Sequence, residues 1–483
     1  LAEGYFIESG SFQEPGKETD IMKKKQLNKF MTAALSAAVA TSMLAAAPAF
    51  ADAQNAGTQV AGTSAKTVQE ESAVKAETGA QTAEKVTISK DNVREITGKI
   101  TQMTLEQGKA FVDKNDSPLL VAGLIGEIYI HPKTTPEEQK AQTEMVARVA
   151  KIAKYAYDKL SDADKKAVPE IPDGYEYPGA GGADYFSTAA PIGSASKDKA
   201  WTKKVCAAPD KKAEILVVSF GTSFNASRYQ TIGGIEKALQ YKYGKKYSVR
   251  RAFTSQVIIN HILARDEYRI DTVREALEKA NKAGVKTLIV QPTTLMSGEE
   301  YDLLKANVKA NKGSVKTVKI ASPLLKSDKD RKTVAKALAE SSARQAGVKT
   351  SSLKKAGNKT AFVFIGHGTS HANRVTYTRM QKDYDKLGYK NVYVGTVEGK
   401  PAATSSASII KKLKKKGYKK VVIRGMMVVA GDHANNDIAG NDADSWKSQL
   451  KKAGFKVSAQ VAGLGSLKSI QKIYVQHTAA MMK

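Results

Sequence analysis

A single cysteine, Cys206, stands in a chain of 483 residues. No intrachain disulfide can form, and thiolate metal clusters are excluded. Histidine is scarce as well, so an imidazole site must draw on His131, His261, His367, His371, His433 or His477. Acidic residues are outnumbered, 48 Asp+Glu against 76 Lys+Arg, for a formal charge of +28. A polyanion would suit that field, but the chain has no zinc-finger spacing, RNP-type strand or Arg-rich arm, so nucleic acid is not expected as a partner. A polycarboxylate small molecule needs the same field. A Lys-rich solvated surface, as in IIKKLKKKGYKK (409–420), produces it with no partner at all. Neither a G-x-S-x-G elbow, a Walker A loop nor a G-x-G-x-x-G fingerprint occurs, which argues against serine acyl transfer and nucleotide chemistry.

Long apolar runs are missing too. The longest, TAALSAAVATSMLAAA (32–47), falls short of the roughly 20 residues a spanning helix needs. It follows MKKKQLNKF from Met22 and precedes Ala49-Phe50-Ala51, so residues 22–51 read as a secretory signal peptide. The product is expected to be exported and soluble, periplasmic or otherwise extracytoplasmic, and residues 1–21 read as a leader or upstream extension. Residues 52–87 hold almost no large apolar side chains and are expected to be a disordered linker. In 88–165, Val146, Val149, Ile152, Ala153 and Tyr157 recur at helical spacing and predict a small helical module. Residues 166–212, with VPEIPDGYEYPGAGGADYF, read as a Pro/Gly-rich linker holding Cys206 as an unpaired thiol.

From residue 213 the texture is apolar strands alternating with amphipathic helices, which predicts an α/β fold with parallel sheets covered on both faces. Strands are expected at 215–220, 248–255, 286–292 and 317–322, then at 361–366, 391–398, 421–430 and 456–462. The theme repeats. ILVVSFGTS (215–223) superimposes on FVFIGHGTS (362–370) at a shift of 147, and GVKTLIVQPTTLMSGEEY (284–301) on GYKKVVIRGMMVVAGDHA (417–434) at a shift of 133. Two pseudo-symmetric, Rossmann-like halves, 213–355 and 356–483, would turn their carboxyl strand ends toward one cleft, where open parallel sheets bind ligands.

His367 and His433 each follow an apolar strand beside a glycine, and Glu300 falls opposite His433 in the repeat. Glu398 ends a third strand, either as a charge near a helix start or as a member of the cluster. Imidazole and carboxylate without thiolate suit Co, Ni, Fe or Zn ions. Asp432, Asn435, Asn436 and Asp437 either fix the His433 tautomer or cap a helix beginning near Ala443. His371 sits at i+4 from His367, although the glycines around His367 favour a loop there. The turns Gly221-Thr222-Ser223 and Gly368-Thr369-Ser370 either bind anions through backbone N–H groups or are tight βα turns and no more.

VVSFGTS (217–223), RAFTS (251–255), GEEY (298–301), GHGTSH (366–371), TVE (396–398), VAGDHANND (429–437) and DSW (444–446) together resemble the anaerobic-type cobalt chelatases that insert Co(2+) into sirohydrochlorin. The resemblance covers residues 213–483 and implies the class II chelatase fold around a tetrapyrrole cleft. It implies that His367, His433 and Glu398 bind the metal, and that His367, His433 and Glu300 do the catalysis. It further implies cobalt(2+) as the substrate metal, a polycarboxylate tetrapyrrole as the other substrate, and no organic cofactor. The family often has a histidine before GEEY, where this chain has Thr294. An exported haem, tetrapyrrole or metal-binding protein and an iron chelatase remain as alternatives, and a homo-oligomer stays open.

Overall fold

The computed structural model describes residues 85–133, 135–187, 194–355 and 359–483. The leader and signal-like stretch (1–51) and residues 52–84 lie outside them. Strands β1 (Ala213–Ser219), β2 (Ser248–Phe253), β3 (Thr287–Pro292) and β4 (Thr317–Ile320) form one sheet in the order β2-β1-β3-β4. Strands β5 (Thr360–Gly366), β6 (Val392–Thr396), β7 (Lys420–Gly425) and β8 (Lys456–Gln460) form a second in the order β6-β5-β7-β8. Neighbouring strands pair in parallel throughout, and the two orders are the same permutation. The shift of 147 carries the bounds of β1 onto those of β5, and the shift of 133 those of β3 onto β7. Central strands are buried from end to end, as Glu214–Ser219 in β1, because helices cover both faces.

The halves exchange their last helices. Helix Asp328–Gln345 follows β4 but packs on the second half: Arg331 Nε donates to Asp383 Oδ2 at 2.9 Å, and Gln460 Nε2 to the Ser342 carbonyl at 3.0 Å. Helix Lys468–Ala480 follows β8 and returns to the first half, where Tyr474 donates to the Thr293 carbonyl at 3.0 Å and Thr478 to Gln291 Oε1 at 2.8 Å. One apolar core therefore joins Ile215, Val217 and Leu239 to Phe362, Phe364 and Tyr474.

Ahead of the sheets lies a helical bundle. Its long helix, Pro136–Lys159, starts at a capping box in which Thr135 and Glu138 satisfy each other's backbone N–H, with Pro136 at the first turn. Its stripe Val146, Val149, Ile152, Ala153 packs against helix Pro118–Ile128, which is apolar nearly all round and correspondingly buried. Residues 85–87 belong with the bundle, since Val86 N donates to Asn115 Oδ1 at 2.6 Å.

Residues 166–212 are not the linker that their composition predicts. Tyr177, Tyr185 and Phe186 are buried, and Val168, Ile171, Tyr185 and Phe186 join the bundle core. Gly179, Gly181 and Gly182 have φ of 78°, 78° and 93°, so the glycines serve a compact reversal rather than a flexible spacer. Next comes a helix, Ser194–Val205, held to the first half by ionic contacts. Asp198 and Arg228 are both wholly buried and pair at 2.6 Å, while Arg251 grips Glu236 and donates to Thr202 Oγ1 at 2.7 Å. A periodicity based on apolar residues misses a helix whose buried face carries Asp198 and Thr202. Cys206 is half-buried against the cluster around Phe253, and burial pushes its thiol up to about 11. The thiol is unpaired, as expected, but it packs against the fold and does not sit in a spacer.

The bundle docks on helix Gln256–Asp266. Asn260 Nδ2 donates to the Ile128 carbonyl at 2.9 Å, and Ala264 lies in the bundle core. The His261 ring stacks on Tyr185, centroids 4.1 Å apart and 8° between planes, with Nε2 donating to the Tyr185 carbonyl at 2.6 Å.

Two outcomes follow from these contacts. Asp198→Ala removes the nearest carboxylate from the buried Arg228 guanidinium, which keeps Asp266 at 3.5 Å with Asn225 and Tyr268, and is expected to cost about 3 kcal/mol in denaturant unfolding, more than Asp198→Asn. Burial, aided by Arg265, drives His261 down to about 3 from its ordinary 6.5. Between those values the unfolded chain takes up a proton that the folded one refuses. The stability His261 contributes is thus complete above pH 6.5 and declines as pH falls toward 3. Unfolding midpoints measured across that window should fall less steeply for His261→Gln than for the parent.

Candidate active site

β5 delivers His367 one residue beyond its end at Gly366. The turn there requires glycine: Gly368 has φ 101°, and a Cβ on it would lie 3.0 Å from the Glu398 Cβ. Gly221, its counterpart after β1, has φ 108° with the Phe253 ring 2.5 Å from such a Cβ. The glycine of the repeated Gly-Thr-Ser is thus demanded by backbone shape in both halves. Glu398 N donates to the His367 carbonyl at 2.9 Å, and His367 Nδ1 lies 3.6 Å from Glu398 Oε1, so these two side chains are neighbours.

His433 arrives differently from the strand-end loop expected of it. β7 stops at Gly425, irregular backbone runs to Ala430, and a π-helical turn, Ala434–Ile438, follows His433 immediately. Such turns are frequent at functional sites. Here the turn puts Asp437 beneath the ring, its Oδ2 2.7 Å from His433 Nδ1. The helix that DSW begins is Trp446–Lys452, capped by Ser445, so Asp437 serves the imidazole and not that helix. Asp432 accepts from Asn436 Nδ2 at 2.7 Å and Asn435 donates to the Gly431 carbonyl at 2.7 Å, both holding the turn.

The His367 and His433 rings meet edge to face, centroids 4.5 Å apart and 74° between planes. An ionised Asp437 accepts only, so His433 Nδ1 carries its hydrogen. His367 Nδ1 lies 2.9 Å from the Gly368 carbonyl, which also accepts only. Both rings therefore leave Nε2 as the open lone pair, the arrangement that suits a divalent metal. Their basicities diverge. Burial and the neighbouring His433 hold His367 below the usual imidazole range. Burial works against a charged His433 as well, but the hydrogen bond and charge of Asp437, with Asp432 and Glu398, raise it.

Glu300 occupies the first turn of helix Glu299–Asn311, just as His433 leads its own turn in the second half. Glu300 is exposed; partial desolvation and the neighbouring Glu299 raise its carboxyl above the ordinary range, and the His433 charge acts the other way, so the two sense each other. His371 does not join His367: its Nδ1 accepts from Asn373 N at 3.1 Å and its Nε2 faces Asp302 at 3.6 Å. Thr294 buries a hydroxyl that has no partner among the described residues.

Beside His433 opens a cavity of about 770 Å³. Gly221, Thr222 and Ser223 line it, whereas Gly368, Thr369 and Ser370 do not. Ser370 Oγ accepts instead from Lys400 Nζ at 3.0 Å, and Thr369 Oγ1 from His371 N at 3.1 Å. The opposite wall consists of Tyr129, Tyr177, Tyr185 and the backbone of residues 178–181. Motif reasoning had no means of placing these residues. The signal available was compositional: Tyr175, Tyr177, Tyr185 and Phe186 crowd a glycine-rich stretch that a solvated linker would not need. Among the described residues, the side chains whose ligand atoms all lie within 4.8 Å of one another are Asp432, His433 and Asp437, which adds two carboxylates to the metal-ligating chemistry available at this edge.

A sirohydrochlorin cobaltochelatase of Salmonella typhimurium is 31% identical over 266 residues, covering 55% of this chain and 95% of its own length. Sirohydrochlorin cobaltochelatase CbiKC of Nitratidesulfovibrio vulgaris is 28% identical over 276 residues, 56% of this chain and 91% of its own. Among solved structures, SirB from Bacillus subtilis with Fe3+ aligns at TM-score 0.40 and 13% identity, over 56% of this chain and 95% of that one. The family described as Cobalt chelatase (CbiK) matches residues 212–483, a span that holds both sheets and both histidines of the pair, and the chain belongs to it.

Proposed function

We propose that this protein inserts Co2+ into sirohydrochlorin and that His367, His433 and Glu398 hold the incoming ion. The observation that carries the proposal is the edge-to-face histidine pair with both Nε2 atoms free, one ring fixed by Asp437 and the other by the Gly368 carbonyl. The Salmonella typhimurium and Nitratidesulfovibrio vulgaris relatives, both named for this activity, support the choice of macrocycle and metal. Metal insertion exchanges ligands: the ion leaves imidazole and carboxylate for four pyrrole nitrogens, and two pyrrole N–H protons must depart. Glu300 suits one of them, because a carboxyl raised above its ordinary range is a better base near neutrality. The second proton goes to the imidazole that the metal vacates. His433 is the fitting acceptor, since Asp437 stabilises its protonated form. The signal-like segment at 22–51 supports an exported enzyme.

Anaerobic mixing of the protein with sirohydrochlorin and Co2+, followed by absorbance, tests the proposal. Turnover well beyond one equivalent is expected, with His367→Ala and His433→Ala each lowering it by about 10²-fold or more. A spectral change that saturates at one equivalent would instead make the protein a carrier. Asp437→Asn keeps the shape but loses the anionic acceptor, and should weaken Co2+ binding in titration calorimetry by about 10- to 100-fold.

A further inference from the structure

The matched family span begins at residue 212, yet the cavity beside His433 is closed on its far side by residues that precede it: Tyr129, Tyr177, Tyr185 and the turn between them. That wall is rigidly placed. Tyr185 stacks on His261, Asn260 binds the Ile128 carbonyl, and the Tyr177 hydroxyl pairs with His131 Nε2. Tyr129 meets Tyr177 edge-on at 5.3 Å and Tyr185 at 6.5 Å, so the three rings form one aromatic surface.

One atom in this surface is unaccounted for. Tyr185 is only 4% exposed, and its hydroxyl has no hydrogen-bond partner among the described residues. Nearly all buried polar groups in folded proteins are paired, and a stranded donor is costly. Burial keeps this phenol protonated, so it offers a donor within the wall of the cavity that Tyr185 lines. A volume of about 770 Å³ accommodates a ligand far larger than water, and an aromatic wall suits the flat face of a conjugated ring system.

We propose that the N-terminal helical module is part of the substrate site: Tyr129, Tyr177 and Tyr185 form the outer wall against which the macrocycle lies, and the Tyr185 hydroxyl donates to one of its carboxylates. The proposal rests on the chelatase reading, and it assigns a role in substrate binding to a segment that lies outside the matched span.

The test compares the full chain with Tyr185→Phe, which keeps the stack on His261 and removes one oxygen. Affinity for metal-free sirohydrochlorin, followed by quenching of its fluorescence, should fall about tenfold or more, with KM rising in parallel and kcat within about twofold of the parent. Co2+ affinity without macrocycle should be unchanged, and the melting temperature should not fall. The methyl-esterified macrocycle, whose neutral carbonyls accept more weakly than carboxylates, should lose less affinity in the variant. Unchanged sirohydrochlorin affinity overturns the proposal and leaves Tyr185 as a packing residue; so does an equal loss with the ester. Absence of turnover in the parent, by contrast, removes the chelatase reading itself, so the two failures are distinguishable.

Discussion

Each half of this molecule is finished by a helix encoded in the other half's sequence. Helix Asp328–Gln345 completes the second sheet and helix Lys468–Ala480 the first, and the core that results runs unbroken from Ile215 to Phe362 and Tyr474. An interface made of swapped core elements leaves little freedom for the halves to hinge, because opening it would expose apolar surface worth about 25 cal/mol per Å². Everything at the cleft inherits that rigidity. Phe220 and Thr222 of the first half stand beside Gly431 and His433 of the second, and Asn373 donates across to the Ser297 carbonyl. The edge-to-face contact of His367 and His433 then follows from two paired strands of one sheet, β5 ending at the tight turn that carries His367 and β7 leading through irregular backbone to the π-helical turn headed by His433.

Two imidazoles so close would disfavour a shared positive charge. The structure resolves this by treating them unequally. Asp437 and Asp432 favour the proton on His433, while His367 is left with a backbone carbonyl and the more distant Glu398. The unequal pair fits the proposed chemistry, in which one site must release a metal ion and take up a proton at the same event. A symmetric pair would have to choose one task. Glu300, also raised, sits within electrostatic reach of His433 from the opposite half, so the groups able to receive pyrrole protons come from both sides of the cleft.

Much of this was legible in the sequence. The β-strands announce themselves because apolar residues on both faces are what burial between helix layers demands. The repeat is legible because a turn that needs positive φ needs glycine, and Gly221 and Gly368 satisfy it with the same neighbours. His367 is visible as an imidazole at a strand end, and His433 as one beside a glycine after an apolar run, although β7 stops at Gly425. Other features were hidden for physical reasons. The helix holding Asp198 carries its buried face in polar atoms whose partners, Arg228 and Arg251, lie far along the chain. The π-helical turn that sets Asp437 under His433 differs from an α-turn in one hydrogen-bond step, which side-chain periodicity does not encode. Tyr177 and Tyr185 lay in a stretch whose prolines and glycines signal irregular backbone, and irregular backbone is not the same as an unpacked one.

The pseudo-symmetry makes the differences between halves informative, since equivalent positions occupy equivalent places in the two sheets. Where the second half has His367 the first has Phe220, and where the second has His433 the first has Glu300. Imidazoles gather on one sheet, while Phe220 and the Gly221 turn face the cavity. The helical bundle then docks on the first half through Asn260, His261 and Ala264 and faces that same cavity with tyrosines. The Asp198–Arg228 ion pair and the hydrogen bond from Arg251 to Thr202 bind the intervening helix to the same half. On the proposed reading the division is one of labour. The second half presents the metal, the first half and the bundle enclose the macrocycle, and His433 stands at the boundary, on the cavity lining and in the metal-binding pair at once. A duplicated fold with two identical ends could bind an ion or a ring at either; replacing one end's imidazoles by an aromatic and a carboxylate gives the transfer a direction.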